Sequence, residues 1–271
     1  MELPQLSDTE FGQVQTLMRQ VSGIIMADHK KQLVAGRLMK RLKALGCRNF
    51  SEYVALLQDP AQQDERRLAV DLLTTNETFF FREEAHFQFL RAVLADWDSR
   101  PLRIWSAACS SGEEVYSICM LLNELLPGRN NWSVLGSDLC RHALDSARSG
   151  VYPMSRAQGI PPAYLKRYCL KGIGELEGLL QVKPELQNNV SFRCINLNSP
   201  LPADLPNFDL IFLRNILIYF DQQGKKTIVA NVLSRLRKGG FLFIGHSESL
   251  YGLDLPVTSC GSAVYYHESG A

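Results

Sequence analysis

Ile104-Trp-Ser-Ala-Ala-Cys-Ser-Ser-Gly-Glu-Glu114 passes from an apolar run, through small side chains, to two adjacent carboxylates at the head of a helical pattern. That is the order of a strand, a tight turn and a helix N-terminus, the arrangement in which α/β folds hold nucleotide-like cofactors. A second apolar run, Trp132-Ser-Val-Leu-Gly-Ser137, ends at Asp138, 26 residues after Gly112. A carboxylate there can accept hydrogen bonds from ribose hydroxyls. The turn lacks a complete G-x-G-x-x-G. No basic residue lies between Ile104 and Glu114, and two acids close the stretch. A pyrophosphate beside Glu113 and Glu114 is disfavoured by charge. A cofactor without phosphates fits, and S-adenosylmethionine is the candidate.

Outward from this turn the pattern alternates strand and helix. Strands are expected at 102–108, 132–137, 190–195, 208–214 and 240–245, and helices at 113–126, 139–148 and 222–237. Such alternation predicts an α/β fold, a mostly parallel sheet with helices on both faces. Lys238-Gly-Gly240 reads as a helix stop and turn before Phe241-Leu-Phe-Ile-Gly245, and Val257 to His267 as a last strand broken at Gly261. Between Leu165 and Gln187, glycines 172, 174 and 178 separate the strand-like pieces Tyr168-Cys-Leu and Leu179-Leu-Gln-Val. This predicts a small antiparallel insertion at about 165–188, placed to hold a partner segment. Residues 10 to about 73 carry only helical periodicity, with Phe11, Val14, Leu17 and Met18 on one stripe and Val34, Leu38, Leu42 and Leu45 on another. One further helix, 83–97, leads into the second domain.

The composition is that of a globular protein, with 46% hydrophobic residues and a net charge of +1. No apolar run approaches the roughly 18 residues of a membrane helix, and the first residues lack a signal-peptide pattern. Seven cysteines are scattered without a C-x-x-C pair, which fits a reduced, cytoplasmic protein without structural zinc. Cys109 reads as a small residue of the turn.

Five segments in order now resemble one family: Thr74-Thr-Asn-Glu-Thr-Phe-Phe-Phe-Arg-Glu83, the run Trp105 to Ser117, Ala147-Arg-Ser-Gly-Val-Tyr152, Phe208-Asp-Leu-Ile-Phe-Leu-Arg-Asn-Ile-Leu-Ile-Tyr-Phe-Asp221 and Gly245-His-Ser-Glu-Ser249. They are similar to the bacterial chemotaxis receptor methyltransferases, the CheR family, over nearly the whole chain. The resemblance implies a Rossmann-like class I methyltransferase sheet, with an all-helical receptor-recognition domain and linker at 1–82 and a catalytic domain at 83–271. It implies methyl transfer from S-adenosylmethionine to glutamates on the cytoplasmic helices of chemoreceptors, leaving S-adenosylhomocysteine and a glutamate methyl ester. By motif position, Asn76, Thr78 and Arg82 would line the methionine end of the cofactor. Glu114 would hold its ammonium and Asp138 its ribose. Asn196 and Leu197 would frame the adenine, and Asn215 and Ile216 would close the site. Arg82 and Tyr219 are implied near the reacting methyl. No metal is expected. Taken singly, Asp138 could cap a helix, Asn215 could satisfy its own backbone, Tyr219 could be core and His246 a polar turn residue; their joint order favours the site.

A glutamate side chain in water ionises with a pKa of about 4.3, so the acceptor needs no general base and catalysis is expected from alignment. Between Asp28 and Arg48 there are seven basic residues and one acid, with Lys30, Arg37, Arg41 and Arg48 on one helical stripe. A solvated face is the plain reading. The resemblance adds a glutamate-rich receptor helix held at Lys30, Arg37 and Arg41, so that charge reversal at Arg37 and Arg41 is expected to slow receptor methylation in a salt-sensitive way. The near-neutral total charge and the absence of interleaved aromatics argue against nucleic acid. The insertion resembles the form that docks a receptor C-terminal peptide. The rival readings are a nicotinamide oxidoreductase, a nucleic-acid base methyltransferase, a methyltransferase of another protein carboxylate, and a receptor-binding scaffold without catalysis.

Overall fold

Ser7 and Glu10 begin the first helix reciprocally. The Ser7 hydroxyl accepts from the Glu10 N–H, and the Glu10 carboxylate accepts from the Ser7 N–H at 2.7 Å. This capping box starts α1 (Asp8–Ser22), which Gly23 ends in the left-handed region. After it come α2 (Lys31–Ala44), α3 (Phe50–Gln58), capped by Asn49, and α4 (Gln63–Leu73). Val14, Met18, Val34, Leu38, Leu42, Phe50, Tyr53 and Leu57 are buried among them. The structure, a computed structural model, describes residues 4–97, 100–129 and 131–268. The chain up to Thr75, together with Tyr219–Gly224, makes one compact unit; Asn76–Ile218 and the chain from Lys225 make the other.

In the second unit α5 (Glu84–Ala95) precedes β1 (Leu102–Ala107), α6 (Glu113–Leu125), β2 (Trp132–Asp138) and α7 (Arg141–Ser149). Next come β3 (Val151–Pro153), α8 (Pro162–Tyr168), β4 (Cys169–Lys171), β5 (Leu179–Val182), α9 (Pro184–Gln187) and β6 (Val190–Cys194). The chain continues through β7 (Phe208–Leu213), α10 (Gln222–Leu233), β8 (Leu236–Ile244), β9 (Val257–Gly261) and β10 (Val264–His267). The large sheet has the order β6-β2-β1-β7-β8-β10-β9, parallel from β6 to β8. Every residue of β7 is buried, as is all of β1 except Arg103, which is why these strands read as near-continuous apolar runs. Phe212 and Phe243 stack at 4.3 Å between neighbouring strands. Strand order turns back between β1 and β7, and a sheet of this kind binds ligands beyond the carboxyl ends of its strands at that point.

Three details depart from the sequence reading. The small antiparallel sheet has the order β3-β5-β4, so it draws in Val151–Pro153, a piece too short to show periodicity. The tail is a hairpin, β9 and β10, antiparallel to each other and with β10 antiparallel to β8. Lys238-Gly-Gly240 is no helix stop, because α10 already ends at Leu233. Leu236 pairs with Phe208, and the ladder resumes at Phe241 against Leu210, so the glycines form a bulge. Arg237 there reaches the buried Asp209 carboxylate at 2.6 Å. No described helix is long and apolar enough to cross a membrane.

Candidate active site

The turn after β1 is built from backbone that side chains seldom adopt. Ala108, Ser110 and Gly112 have φ of 68°, 50° and 91°. A Cβ at Gly112 would lie 2.8 Å from the Ala147 methyl, so the close approach of α7 needs glycine as well. Asp138, at the end of β2, braces this turn. One carboxylate oxygen accepts from the Ser110 N–H at 2.8 Å, the other from the Cys140 N–H at 2.9 Å. The Ser110 hydroxyl donates to the Asn76 carbonyl at 3.0 Å, and the Asn76 amide reaches the Cys140 sulfur at 3.3 Å. Asn76, the turn and Asp138 therefore form one knot.

Successive helix residues point about 100° apart, so Glu113 and Glu114 go to different partners. Glu113 is fully buried. It accepts from Arg156 at 2.9 Å and from the Ser111 hydroxyl at 2.7 Å, yet burial still raises its carboxyl above the usual range. The same Arg156 nitrogen donates to the Thr78 carbonyl at 2.7 Å. Glu114 accepts from the Ser106 hydroxyl at 2.6 Å and from Arg214 at 2.8 Å. Arg214 closes β7 with a side chain only 2% exposed, and it also pairs with Glu83 at 3.1 Å and donates to the Arg82 carbonyl. The Asn215 amide reaches Glu83 at 3.0 Å, while the N–H groups of Asn215 and Gly245 donate to Glu248 at 2.9 and 2.7 Å.

Phe81, Glu83 and Asn215 also have positive φ, which together with Ala108 and Ser110 concentrates strained backbone around this cluster. Burial opposes ionisation of Glu83, but the Asn215 amide and the Arg214 guanidinium hold its carboxyl below the usual range. Burial, with Arg214 adding to it, pushes the His86 imidazole down to about 4. Burial pushes the Cys109 thiol well up, so it stays protonated and unreactive at neutral pH.

Of the residues expected at the site, Asn76 and Asp138 share one group of these bonds, and Glu114, Asn215 and the Arg82 carbonyl share another through Arg214 and Glu83, while Thr78 takes part through its carbonyl to Arg156. The Arg82 guanidinium donates to the Glu77 carbonyl at 3.1 Å and lies 5.5 Å from the Phe79 ring centre. Ile216 follows Asn215 half-buried. Asn196 and Leu197 follow β6, where the Ile195 N–H donates to the Asp138 carbonyl at 3.1 Å. The Asn196 side chain accepts from the Asn198 N–H, and the Leu197 carbonyl accepts from Asn231 at 2.9 Å.

Tyr219, Lys30, Arg37 and Arg41 belong to the helical unit. The Tyr219 carbonyl accepts from the Ile25 N–H at 2.9 Å, and the Lys30 ammonium sits 5.5 Å from the Tyr219 ring centre. Arg37 donates to the carbonyls of Leu72, Leu73 and Thr74 at the end of α4. Arg41 grips the buried Glu65 carboxylate.

Sequence reasoning passed over Glu83, Ser106, Arg156 and Arg214. Arg214 had a signal: a guanidinium that closes the buried run Phe208–Leu213 needs acids around it. Arg156 had none, since its partners are distant in sequence. The local observation that the Glu113–Glu114 turn lacks basic residues holds for the segment, but the fold brings a guanidinium to each acid.

Gly159 marks where the link from β3 to α8 meets the Asn76–Arg82 stretch, for a Cβ there would lie 2.1 Å from the Phe80 carbonyl oxygen. Gly159→Ala is expected to cost about 2 kcal/mol or more by overpacking, read as a lowered unfolding midpoint in urea. An unchanged midpoint would show that the contact yields freely.

The residues fit a phosphate-free, cationic nucleoside cofactor. Two carboxylates, Glu114 and Asp138, sit 12% and 9% exposed where the strand order reverses, one able to meet an ammonium and the other a ribose. Comparison with known proteins agrees. Residues 76–266 match the family described as CheR methyltransferase, SAM binding domain, and residues 9–74 match CheR methyltransferase, all-alpha domain. The chain is 41% identical over 263 residues to the chemotaxis protein methyltransferase of Escherichia coli (strain K12), spanning 96% of this chain and 91% of that one. It is 41% identical over 268 residues to the protein of that name from Salmonella typhimurium, spanning 96% and 90%. It is 40% identical over 260 residues to chemotaxis protein methyltransferase 2 of Pseudomonas aeruginosa, spanning 94% and 92%.

Proposed function

The chain belongs to the CheR methyltransferase family, and from that premise we propose that it transfers the methyl group of S-adenosylmethionine to glutamate side chains of chemoreceptors, giving γ-methyl esters. The observation that carries this reading is the pair of carboxylates, Glu114 and Asp138, held rigidly at the reversal point of the sheet.

S-adenosylmethionine supplies an electrophilic methyl on a sulfonium. The chain's own part is binding and alignment. Glu114 holds the ammonium, and its position is set by Ser106 and Arg214 before any ligand arrives. Asp138 holds the ribose, already locked by two backbone N–H groups. Asn76, Thr78 and Arg82 line the methionine end, Asn196 and Leu197 frame the adenine, and Asn215 with Ile216 closes the pocket. The acceptor carboxylate is ionised at neutral pH and needs no base. Arg82 and Tyr219 orient it loosely, because a tight bidentate ion pair would blunt its attack.

The receptor's glutamate-rich helical region is steered by Lys30, just before α2, and by Arg37 and Arg41 within it. A receptor C-terminal peptide adds to the small sheet, which has an edge at β4 and exposes Leu170, Ile173 and Leu176 beside it. The enzyme works in the cytoplasm.

Incubation with methyl-labelled S-adenosylmethionine and receptor cytoplasmic fragments is expected to give base-labile label on the receptor. Base-stable label would overturn the ester, and bound receptor without label would favour a scaffold.

A further inference from the structure

Glu83, His86 and His246 come together beside Arg214, and none of them is among the residues assigned to the cofactor. We propose that they form a binding site for one divalent transition-metal ion of the zinc class. One ligand atom from each lies within 4.8 Å of the other two. His86 Nδ1 is 3.4 Å from Glu83 Oε2, and the two imidazole centres are 4.6 Å apart. Ligands at about 2.0–2.2 Å around a tetrahedral ion sit roughly 3.3–3.6 Å from one another, so small side-chain adjustments complete the set.

The independent observation is the state of His86. Its residue is fully buried, yet neither ring nitrogen completes a well-formed hydrogen bond: Nδ1 stands 3.4 Å from Glu83 Oε2, and the ring has only a marginal approach to the Ser262 backbone. Buried polar atoms are nearly always satisfied, and a ring nitrogen left poorly partnered beside a carboxylate has room for a ligand to fill that place. The ring is held in place by the edge of its contact with Phe243, 5.6 Å between centres, and by the rigid helix α5. An orphan, Glu248 Oε1, is buried in the same neighbourhood; its other oxygen takes the Asn215 and Gly245 N–H groups.

Charge leaves room for a dication. Glu83, Glu114 and Glu248 converge on the Arg214–Asn215 segment, with the Arg214 guanidinium as the cation that bridges two of them. Two imidazoles and a carboxylate make a nitrogen-rich set, which selects zinc-like ions over magnesium or calcium, whose sites are built of oxygens. His246 is exposed, so an ion can enter from solvent and keep an open fourth position there.

The ion would share Glu83 with Arg214, which bonds the same Glu83 oxygen at 3.1 Å. The sequence reading expects no metal because no ligand spacing is visible in it; the cluster is assembled from a helix and a distant strand end.

The test uses the full chain, stripped with chelator, in a Cys194→Ser/Cys260→Ser background that removes the exposed thiols as rival ligands. Titration with Zn2+ by calorimetry is expected to show one ion per chain, and Co2+ to give the visible bands of a four- or five-coordinate nitrogen–oxygen site. His246→Ala, an exposed position that does not threaten the core, should weaken Zn2+ binding by at least about tenfold with an unchanged circular dichroism spectrum. Absence of Zn2+ uptake, or equal uptake after His246→Ala, overturns the site. These readouts do not depend on methyl transfer, so their failure leaves the proposed function standing.

Discussion

Glu114→Gln is expected to lower the affinity for S-adenosylhomocysteine by roughly 10–100-fold, the effect of losing a charge-assisted bond worth about 1.5–3 kcal/mol. The cost in stability should be small, about 1 kcal/mol, because the amide keeps the shape of the side chain and can still accept from Arg214. Arg214→Ala should reverse the order of effects. Its guanidinium is 2% exposed and bridges carboxylates that are 14% and 12% exposed. Removal leaves two acids with little solvent and no counter-charge, which costs about 3–5 kcal/mol. Calorimetry with S-adenosylhomocysteine and urea unfolding on the same two variants separate the roles. Equal affinity in Glu114→Gln would remove Glu114 from the ammonium site. A full-stability Arg214→Ala would mean that the bridge carries no weight.

Arg41→Ala should cost about 2–3 kcal/mol, a value held below that of a fully buried pair because the Arg41 side chain is 30% exposed. Its partner Glu65 is 7% exposed and also accepts from the Tyr53 hydroxyl at 2.8 Å. Burial opposes ionisation of Glu65, and Arg41 and Tyr53 hold the carboxyl below the usual range against it. Charge reversal at Arg41 would place two acids together in the helical unit, so slowed methylation there would report unfolding as well as lost steering. Lys40 and Lys43 are exposed on the same helix and are cleaner positions. Lys40→Glu/Lys43→Glu should leave the unfolding midpoint within about 0.5 kcal/mol of the parent. The same variant should slow receptor methylation at low salt, with the difference fading as salt is raised. An unchanged rate at low salt would exclude steering by Lys40 and Lys43.

How much of this was legible beforehand follows the range of the interactions. The strand–turn–helix at Ile104–Glu114, the buried run Phe208–Leu213 and the helical stripes of the first 73 residues depend on neighbours in sequence, and they were found where periodicity put them. Val151–Pro153 was not, because three residues show no period, and Val257–His267, read as one strand broken at Gly261, is a hairpin, because the direction of a strand leaves no mark in its alternation. The Lys238-Gly-Gly240 segment looked like a helix stop because glycine disfavours helix and strand interiors alike. Its place in a bulge depends on Asp209, a residue on another strand.

The sequence by itself determined the fold class and the strand–turn–helix with its two acids, since these rest on local hydrophobic pattern and on residues adjacent in the chain. Tertiary structure alone decided which charges face one another. Arg156 reaches Glu113 across 43 residues, Arg214 reaches Glu114 across 100, and Glu83 lies 131 residues from the guanidinium it shares. Coulomb and hydrogen-bond energies depend on distance through space, and no distance along the chain reports it.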